Sequence, residues 1–221
     1  MIVEPKPRFQ QSQPEMIPVF PLSGALLMPG AQLPLNIFEP RYLRMIDDAL
    51  AGARTIGMIQ PRDPVRNEQM PELYDVGCAG RITNFTETSD GRYLITLTGI
   101  RRFRVAEEVS VDTPYRTIKA DWSVFKIDTH TDDSVTRVDR DLLLEIMEDY
   151  LDAEGLKADW DAANEAPVDA LVVSLAMGCP FAPPEKQALL EAPTIADQAE
   201  CLMALMEMSG CEEPGGGQSV Q

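Results

Sequence analysis

Four prolines within a short apolar run constrain the fold of this chain more than any other sequence feature. Residues 17–50 read IPVFPLSGALLMPGAQLPLNIFEPRYLRMIDDAL, with prolines at positions 18, 21, 29 and 34 ahead of a fifth at position 40. Each proline removes a backbone donor that an interior strand or helix needs, so we expect short strands and loops here. From Pro40 the apolar residues recur at helical spacing until Gly52. The stretch therefore predicts β structure followed by one amphipathic helix over residues 40–51.

The charge of the chain is concentrated in its C-terminal part. Residues 1–120 hold 14 Lys and Arg against 14 Asp and Glu, whereas residues 121–221 hold 5 against 22. The second part therefore carries the whole net charge of −17. An acidic surface repels phosphate backbones, so we do not expect a nucleic-acid partner there. Solvated helix faces that keep the protein soluble are the simplest interpretation of this charge.

Membrane, metal and disulfide-linked classes are disfavoured by the sequence. No apolar run approaches the ~20 residues that cross a membrane, and the first 15 residues have no apolar signal core. The four cysteines stand far apart without a Cys-x-x-Cys pair, and the single histidine, His130, lies in a polar segment. We therefore expect a cytoplasmic protein with reduced thiols, no metal site, no cofactor and no membrane contact.

Extended segments dominate the first half of the chain after the predicted helix. They are expected over residues 55–59, 76–88, 92–109 and 115–125. The second and third are joined by Ser89-Asp90-Gly91, whose Asp-Gly pair suits a tight hairpin, and Gly99 is expected to bend or bulge the third. Many short strands with Gly and Pro turns and one inserted helix predict a small closed or half-closed barrel.

Helical patterns dominate the second half. Helices are expected from an Asp139 cap to just before Gly155, over residues 167–177 and 184–191, and from a Thr194 cap onward. Four helices with short loops make a compact bundle. The predicted organisation is a flexible tail over 1–15, a barrel domain over 16–125, a linker over 126–138, a helical bundle over 139–209 and a flexible tail over 210–221.

The order of the motifs resembles the N-terminal, substrate-binding domain of the Lon protease family. The opening stretch contains FPL, a Met-Pro-Gly turn, LPL-x-IFE and PRY, and the later motifs follow in the family's order: GCAGRI at 77–82, DGRY at 90–93, LTGIRRF at 97–103 and PPEKQALLE at 183–191. The resemblance spans about residues 16–208. It implies an α+β fold in which a PUA-like β-barrel with an inserted helix precedes a C-terminal α-helical bundle.

Catalytic motifs are missing from this sequence. It contains neither a Gly-x-x-x-x-Gly-Lys-Ser/Thr phosphate loop nor a Gly-x-Ser-x-Gly elbow. Full-length Lon proteases continue into ATPase and protease domains, and we expect this chain to end before either begins. His130 lies in the predicted linker, where a general base would not be held against a nucleophile. We therefore predict a protein that is not an enzyme.

Candidate binding residues stand at the start of the first helix, on an arginine-rich strand and on the last helix. They are Phe38, Arg41, Tyr42, Arg101, Arg102, Met203 and Met206. Structural alternatives exist for each group. The arginines can form salt bridges to Asp75, Glu87 or Glu107. Glu39 can cap the helix while Arg41 pairs with a carboxylate, and methionines at helical spacing also fill cores.

Two functions are compatible with these features. In the Lon family this domain recognises unfolded or tagged protein substrates and supports assembly. The resemblance therefore implies a non-enzymatic module that binds polypeptide segments, and an adaptor or regulator that acts with a separate protease. The alternative is a PUA-like barrel that binds a small molecule or RNA, because a fold does not fix a function.

Overall fold

Residues 13–63 and 70–210 are described by the structure, a computed structural model. Most of the predicted N-terminal tail, the middle of the loop before the fourth strand and the C-terminal tail from residue 211 lie outside these ranges. The described residues form an α+β architecture, which confirms the predicted fold class. The strands come first along the chain and most of the helices follow.

The strands and helices follow the predicted order closely. The first part contains β1 (Met16–Pro21), β2 (Gln32–Ile37), α1 (Pro40–Ala51), β3 (Thr55–Pro61), β4 (Leu73–Glu87), β5 (Tyr93–Val109) and β6 (Arg116–Asp121). The second contains α2 (Arg140–Ala153), α3 (Trp160–Glu165), α4 (Val168–Gly178), α5 (Pro183–Glu191) and α6 (Ile195–Gly210). The short helix α3 was not predicted, because its six residues are too few to show an apolar period.

The six strands form one sheet that closes on itself. Their order is β2-β5-β4-β3-β1-β6, and β6 also pairs with β5. Five strands therefore make a ring, and β2 lies outside it against the first half of β5. Only β1 and β3 run parallel among these pairs. Register shifts interrupt the pairing of β3 with β4, β4 with β5 and β5 with β6, so the ring is not a regular barrel.

Gly99 allows the segment after β1 to pass close to β5. A Cβ atom at this position would lie 2.0 Å from the carbonyl oxygen of Met28. The Gly99 N–H donates to the carbonyl of Ala31 at 2.8 Å, and its own carbonyl accepts from Gly30 at 2.9 Å. The pairing with β4 skips Ile100, which confirms the predicted irregularity here. Any side chain at Gly99 would push the two backbones apart.

The apolar core is continuous between the strands and the helices. A small cluster inside the ring contains Ile17, Phe103 and Ile118. The larger cluster joins residues of β-rich and helical parts, among them Met45 and Leu202. Residues 126–138, the predicted linker, form two short 3-10 helices, Lys126–Thr129 and Asp133–Arg137. That they separate two domains stays a prediction, and the shared core crosses the predicted boundary.

Candidate functional site

A cleft of about 540 Å³ opens between the start of α1, the ends of β1 and β3 and the connection from β5 to β6. Nine of its 14 lining residues are proline, aliphatic or aromatic: Pro21, Tyr42, Pro61, Met70, Pro71, Val109, Val111, Pro114 and Tyr115. Met70 exposes 66% of its surface and Val111 exposes 40%. The cleft therefore offers apolar surface directly to the solvent.

Two prolines reach this cleft because β1 and β3 run side by side. Pro21 is the last residue of β1 and is paired with Ile59, and Pro61 is the last residue of β3. Parallel strands bring their C-terminal ends to the same end of a sheet. Pro21, one of the four prolines singled out in the sequence, and Pro61 thus form one wall of the cleft.

Polar contacts hold the opposite wall in place. Arg116 pairs with Glu108 across the β5–β6 hairpin, with 2.5 Å between Nη2 and Oε2. The same guanidinium donates through Nη1 to the carbonyl of Pro71 at 2.6 Å. The Tyr115 hydroxyl donates to Oδ2 of Asp48 on α1 at 2.9 Å. Burial is the main cause that raises the pKa of Tyr115 to about 12, and the hydrogen bond to Asp48 contributes less. The phenol therefore stays neutral at physiological pH.

Arg41 and Tyr42 are the two predicted site residues that line the cleft together. Tyr42 is buried, and burial raises its pKa above the ordinary value. The Arg41 guanidinium carbon lies 4.5 Å from the centre of the Tyr42 ring, and its Nη2 atom lies 2.9 Å from the Glu39 carboxylate. Glu39 occupies the N-cap position without capping the helix by its side chain. Phe38 is 63% exposed and lies outside the cleft lining.

Arg102 is buried at the junction of strands and helices. Its Nη2 atom lies 2.7 Å from Oδ1 of Asp128, and both side chains are less than 5% exposed. The guanidinium also donates to the carbonyls of Leu190 and Pro193, each at 3.0 Å, and lies over the ring of Phe125. For Arg102 the predicted partners Asp75, Glu87 and Glu107 were wrong, since its carboxylate, Asp128, comes from the segment predicted as a linker. Burial also removes Arg102 from any basic stripe that RNA would contact.

The other three predicted residues do not share a surface with the cleft. Arg101 is half-buried and donates through Nε to the carbonyl of Phe125 at 3.3 Å. Met206 is 1% exposed and belongs to the larger core cluster, against which the half-buried Met203 packs. Met70 and Val111 were missed, since the sequence alone does not show which loops meet at the ends of β1 and β3.

A second, smaller cleft of about 460 Å³ lies at the junction. Its lining combines apolar residues with three charged ones, Arg104, Lys126 and Glu191. The cleft lies along the contact between the strand ring and the segment that connects α5 to α6. The first cleft is also lined by three charged residues, Arg41, Glu108 and Arg116, but those side chains are engaged by neighbouring groups, and the predicted residues Arg41 and Tyr42 lie there.

Residues 13–63 and 70–210 contain neither a metal-binding cluster nor a membrane-spanning helix. In this part of the chain no group of three His, Cys, Asp or Glu side chains is placed to hold a metal ion. None of the helices there is both long and apolar enough to cross a bilayer. His130 is exposed, and burial raises the pKa of the Cys179 thiol to about 11.

Comparison with known sequences points to one family. A family model described as the ATP-dependent protease La (LON) substrate-binding domain matches residues 16–208. Lon protease 2 of Sorangium cellulosum is 33% identical over 103 residues, which are 46% of this chain and 13% of that protein. The Lon protease of Dictyoglomus thermophilum is 30% identical over 105 residues, 48% of this chain and 13% of that protein. The chain thus matches a small part of the length of these relatives.

Two solved structures share the fold over most of the chain. A Lon N-terminal domain protein from Xanthomonas campestris superposes with a TM-score of 0.62 at 26% identity, covering 86% of this chain and 97% of that one. The N-terminal domain of Mycobacterium avium complex Lon protease gives a TM-score of 0.63 at 15% identity, covering 87% and 98%. At that identity the second comparison shows the fold alone. Together with the family match, these structures confirm the resemblance inferred from the sequence motifs.

Proposed function

We propose a binding function for this chain, which belongs to the family of ATP-dependent protease La (LON) substrate-binding domains. The chain is a non-enzymatic module that holds unfolded or tagged polypeptide segments in the cytoplasm. Its finer role is that of an adaptor or regulator that brings such segments to a separate protease. The observation that carries the proposal is the match over residues 16–208 to a substrate-binding domain rather than a catalytic one.

The apolar cleft is the surface that best supports this function. Unfolded polypeptides expose the apolar side chains that folded proteins bury. Burying these side chains in an exposed apolar cleft lowers the free energy of the system. Met70 and Val111 stand open to solvent at the cleft, while Arg116 is already paired with Glu108. The cleft volume of about 540 Å³ accommodates a few side chains of a segment.

The cleft's polar residues are suited to binding rather than to reaction. The neutral Tyr115 phenol is engaged by Asp48, and Arg41 is held by Glu39 and by the Tyr42 ring. These contacts fix the wall and leave the apolar side chains of Met70 and Val111 open to a partner. The module would then prefer unfolded over folded proteins because only unfolded partners expose their apolar side chains. The partner would not need a specific sequence.

A binding titration with matched variants tests this proposal. The probe is reduced, alkylated lysozyme carrying a fluorescent label, titrated with the full chain. Val111→Asp places a charge in the cleft, and we expect it to weaken binding about tenfold or more, because a carboxylate resists desolvation. Leu142→Asp is the control, since Leu142 on α2 is 43% exposed and distant in sequence from the cleft, against 40% for Val111. Absence of binding by the wild-type chain would refute the proposal.

A further inference from the structure

The hairpin of β4 and β5 extends beyond the ring and leaves one strand edge open. The pairing of β3 with β4 ends at Arg81, which lies opposite Thr55. The pairing of β4 with β5 continues to Glu87. Residues 83–87 of β4 therefore have β5 on one side and, within the described ranges, no strand on the other.

The backbone groups on this open edge can be assigned from the hairpin turn. The Thr88 N–H donates to the carbonyl of Arg92 at 2.9 Å, so Thr88 faces β5. Backbone groups alternate in direction along a strand, which turns those of Thr86 toward β5 and those of Phe85 and Glu87 away from it. No other described residue donates to or accepts from the outward backbone groups of Phe85 and Glu87. Their N–H and C=O groups form an unpaired row.

The opposite edge of the same extension is blocked. The outer edge of β2 has Pro34 at its centre, directly opposite Thr96 of β5. Alternation along β5 directs the backbone of Ile95 toward β2 and that of Thr96 toward β4, so the Pro34 nitrogen faces outward, where it offers no hydrogen. A proline on an edge strand prevents further pairing. The segment 83–87, TNFTE, has no such residue.

The side chains beside the open edge are held in place. Phe85 is 38% exposed, and its ring packs edge-on against Tyr93 with 4.9 Å between centroids. The Tyr93 hydroxyl in turn donates to Oδ1 of Asp47 on α1 at 3.0 Å. A strand added at this edge would place a side chain about 5 Å from Phe85. An apolar residue at that position would cover the exposed part of the ring.

A second copy of the chain is a poor occupant for this edge. Five residues of strand extend only about 17 Å, whereas a stable interface needs roughly 800 Å² from each partner. Each copy also carries a net charge of −17, which opposes self-association at low ionic strength. An extended segment without negative charge avoids both difficulties, because it needs little area and is not repelled, and a basic segment is also attracted.

We propose that the outer edge of β4, residues 83–87, binds an extended polypeptide segment as an added strand. The segment is neutral or basic and carries apolar side chains at alternate positions, one of which packs on Phe85. Main-chain hydrogen bonds supply recognition that does not depend on sequence. This inference rests on the proposed function, since it specifies how the same module grips its partner.

Variants at Glu87 test the edge directly. Glu87→Pro removes an outward-facing N–H and leaves the ladder with β5 intact, whereas Glu87→Thr removes the charge and keeps the N–H. The probe is a labelled nine-residue peptide in which valine and threonine alternate between terminal lysines. We expect Glu87→Pro to weaken its binding about tenfold relative to Glu87→Thr, because a hydrogen bond is lost and the proline ring obstructs the edge. Equal binding by the two variants would overturn the inference.

A second measurement does not depend on the variant folding. The same peptide, N-methylated at every interior residue, cannot donate along either edge, and we expect it to lose binding to the wild-type chain. Equal binding of both peptides would overturn the inference, as would sedimentation showing that Glu87→Pro abolishes a dimer. If Val111→Asp weakens binding of unfolded lysozyme while Glu87→Pro changes nothing, the proposed function stands and the added strand does not.

Discussion

Arg102 at the junction and Arg116 at the cleft make the same type of contact in different surroundings. Each pairs with a carboxylate and also donates to backbone carbonyl oxygen, that of Pro71 for Arg116 and those of Leu190, Ala192 and Pro193 for Arg102. The Arg102 and Asp128 side chains are 3% and 4% exposed, whereas those of Arg116 and Glu108 are 16% and 38% exposed. The degree of burial therefore distinguishes Arg102, which joins two parts of the fold, from Arg116, which shapes a surface.

The difference between the two sites is energetic as well as geometric. A buried pair gains from a low dielectric, and removing one partner leaves an uncompensated charge that costs several kcal/mol, about 3–5. A more exposed pair is screened by water and contributes about 0–1 kcal/mol. Arg102 also serves carbonyls at the C-terminal end of α5, which have no partner within the helix. Single substitutions at the junction should thus lower the free energy of unfolding strongly, whereas those at the cleft should change it little.

The largest expected effect is that of Arg102→Met. We expect it to lower the free energy of unfolding by about 3–5 kcal/mol in urea titrations, because Asp128 is left buried without its partner. Arg104→Met is the control, since Arg104 is exposed on the same strand and should change stability by less than about 0.5 kcal/mol. Adding Asp128→Leu to Arg102→Met should restore part of the loss. Similar small losses in both single variants would contradict the comparison.

A smaller loss is expected for Gln187→Ala, also at the junction. The Gln187 amide donates to the carbonyl of Val76 at 3.1 Å and accepts from Gln60 at 3.2 Å. Its removal leaves two buried polar groups without this partner, which costs about 1–3 kcal/mol. Thermal unfolding should show the loss, and the exposed Gln32→Ala should not. A midpoint equal to that of the wild type would mean that water replaces the lost contacts.

Local signals in the sequence predicted the elements well. The Asp90-Gly91 turn was expected, and Gly91 has a φ of 79° that favours glycine. Asp139 caps α2 as predicted, with its carboxylate accepting from the N–H of Leu142. Helix α1 spans the predicted residues 40–51. In each case the residues that determine the structure lie within a few positions of one another.

Contacts between distant residues were not predictable from the sequence. Gln60 and Gln187 are 127 positions apart, and Arg102 and Asp128 are 26 apart. Nothing in the local pattern near Asp128 distinguishes it from the solvated acids around it. The cleft has the same origin, since the parallel pairing of β1 with β3 decides that Pro21 and Pro61 meet. Arg41 and Tyr42 were identified because they belong to a local motif.

The smallest expected effect concerns Tyr115, whose pKa reports how far the cleft wall is shielded from solvent. Burial and Asp48 raise this pKa to about 12 from an ordinary value of 10. Between pH 10 and 12 the unfolded chain loses this proton while the folded chain keeps it, so stability falls as pH rises through that window. We expect Tyr115→Phe to lose less stability than the wild type from pH 10 upward.

At neutral pH the phenol is protonated in both states, so Tyr115→Phe removes only the hydrogen bond to Asp48 and costs about 0.5–1.5 kcal/mol. Urea titrations at neutral pH and near pH 11 separate the two contributions. Parallel loss of stability in the variant and the wild type would show that Tyr115 ionises as freely when folded as when unfolded. The cleft wall at Tyr115 would then be as accessible to solvent as an exposed ion pair. The apolar character of the cleft would depend on Val111, Met70 and the prolines.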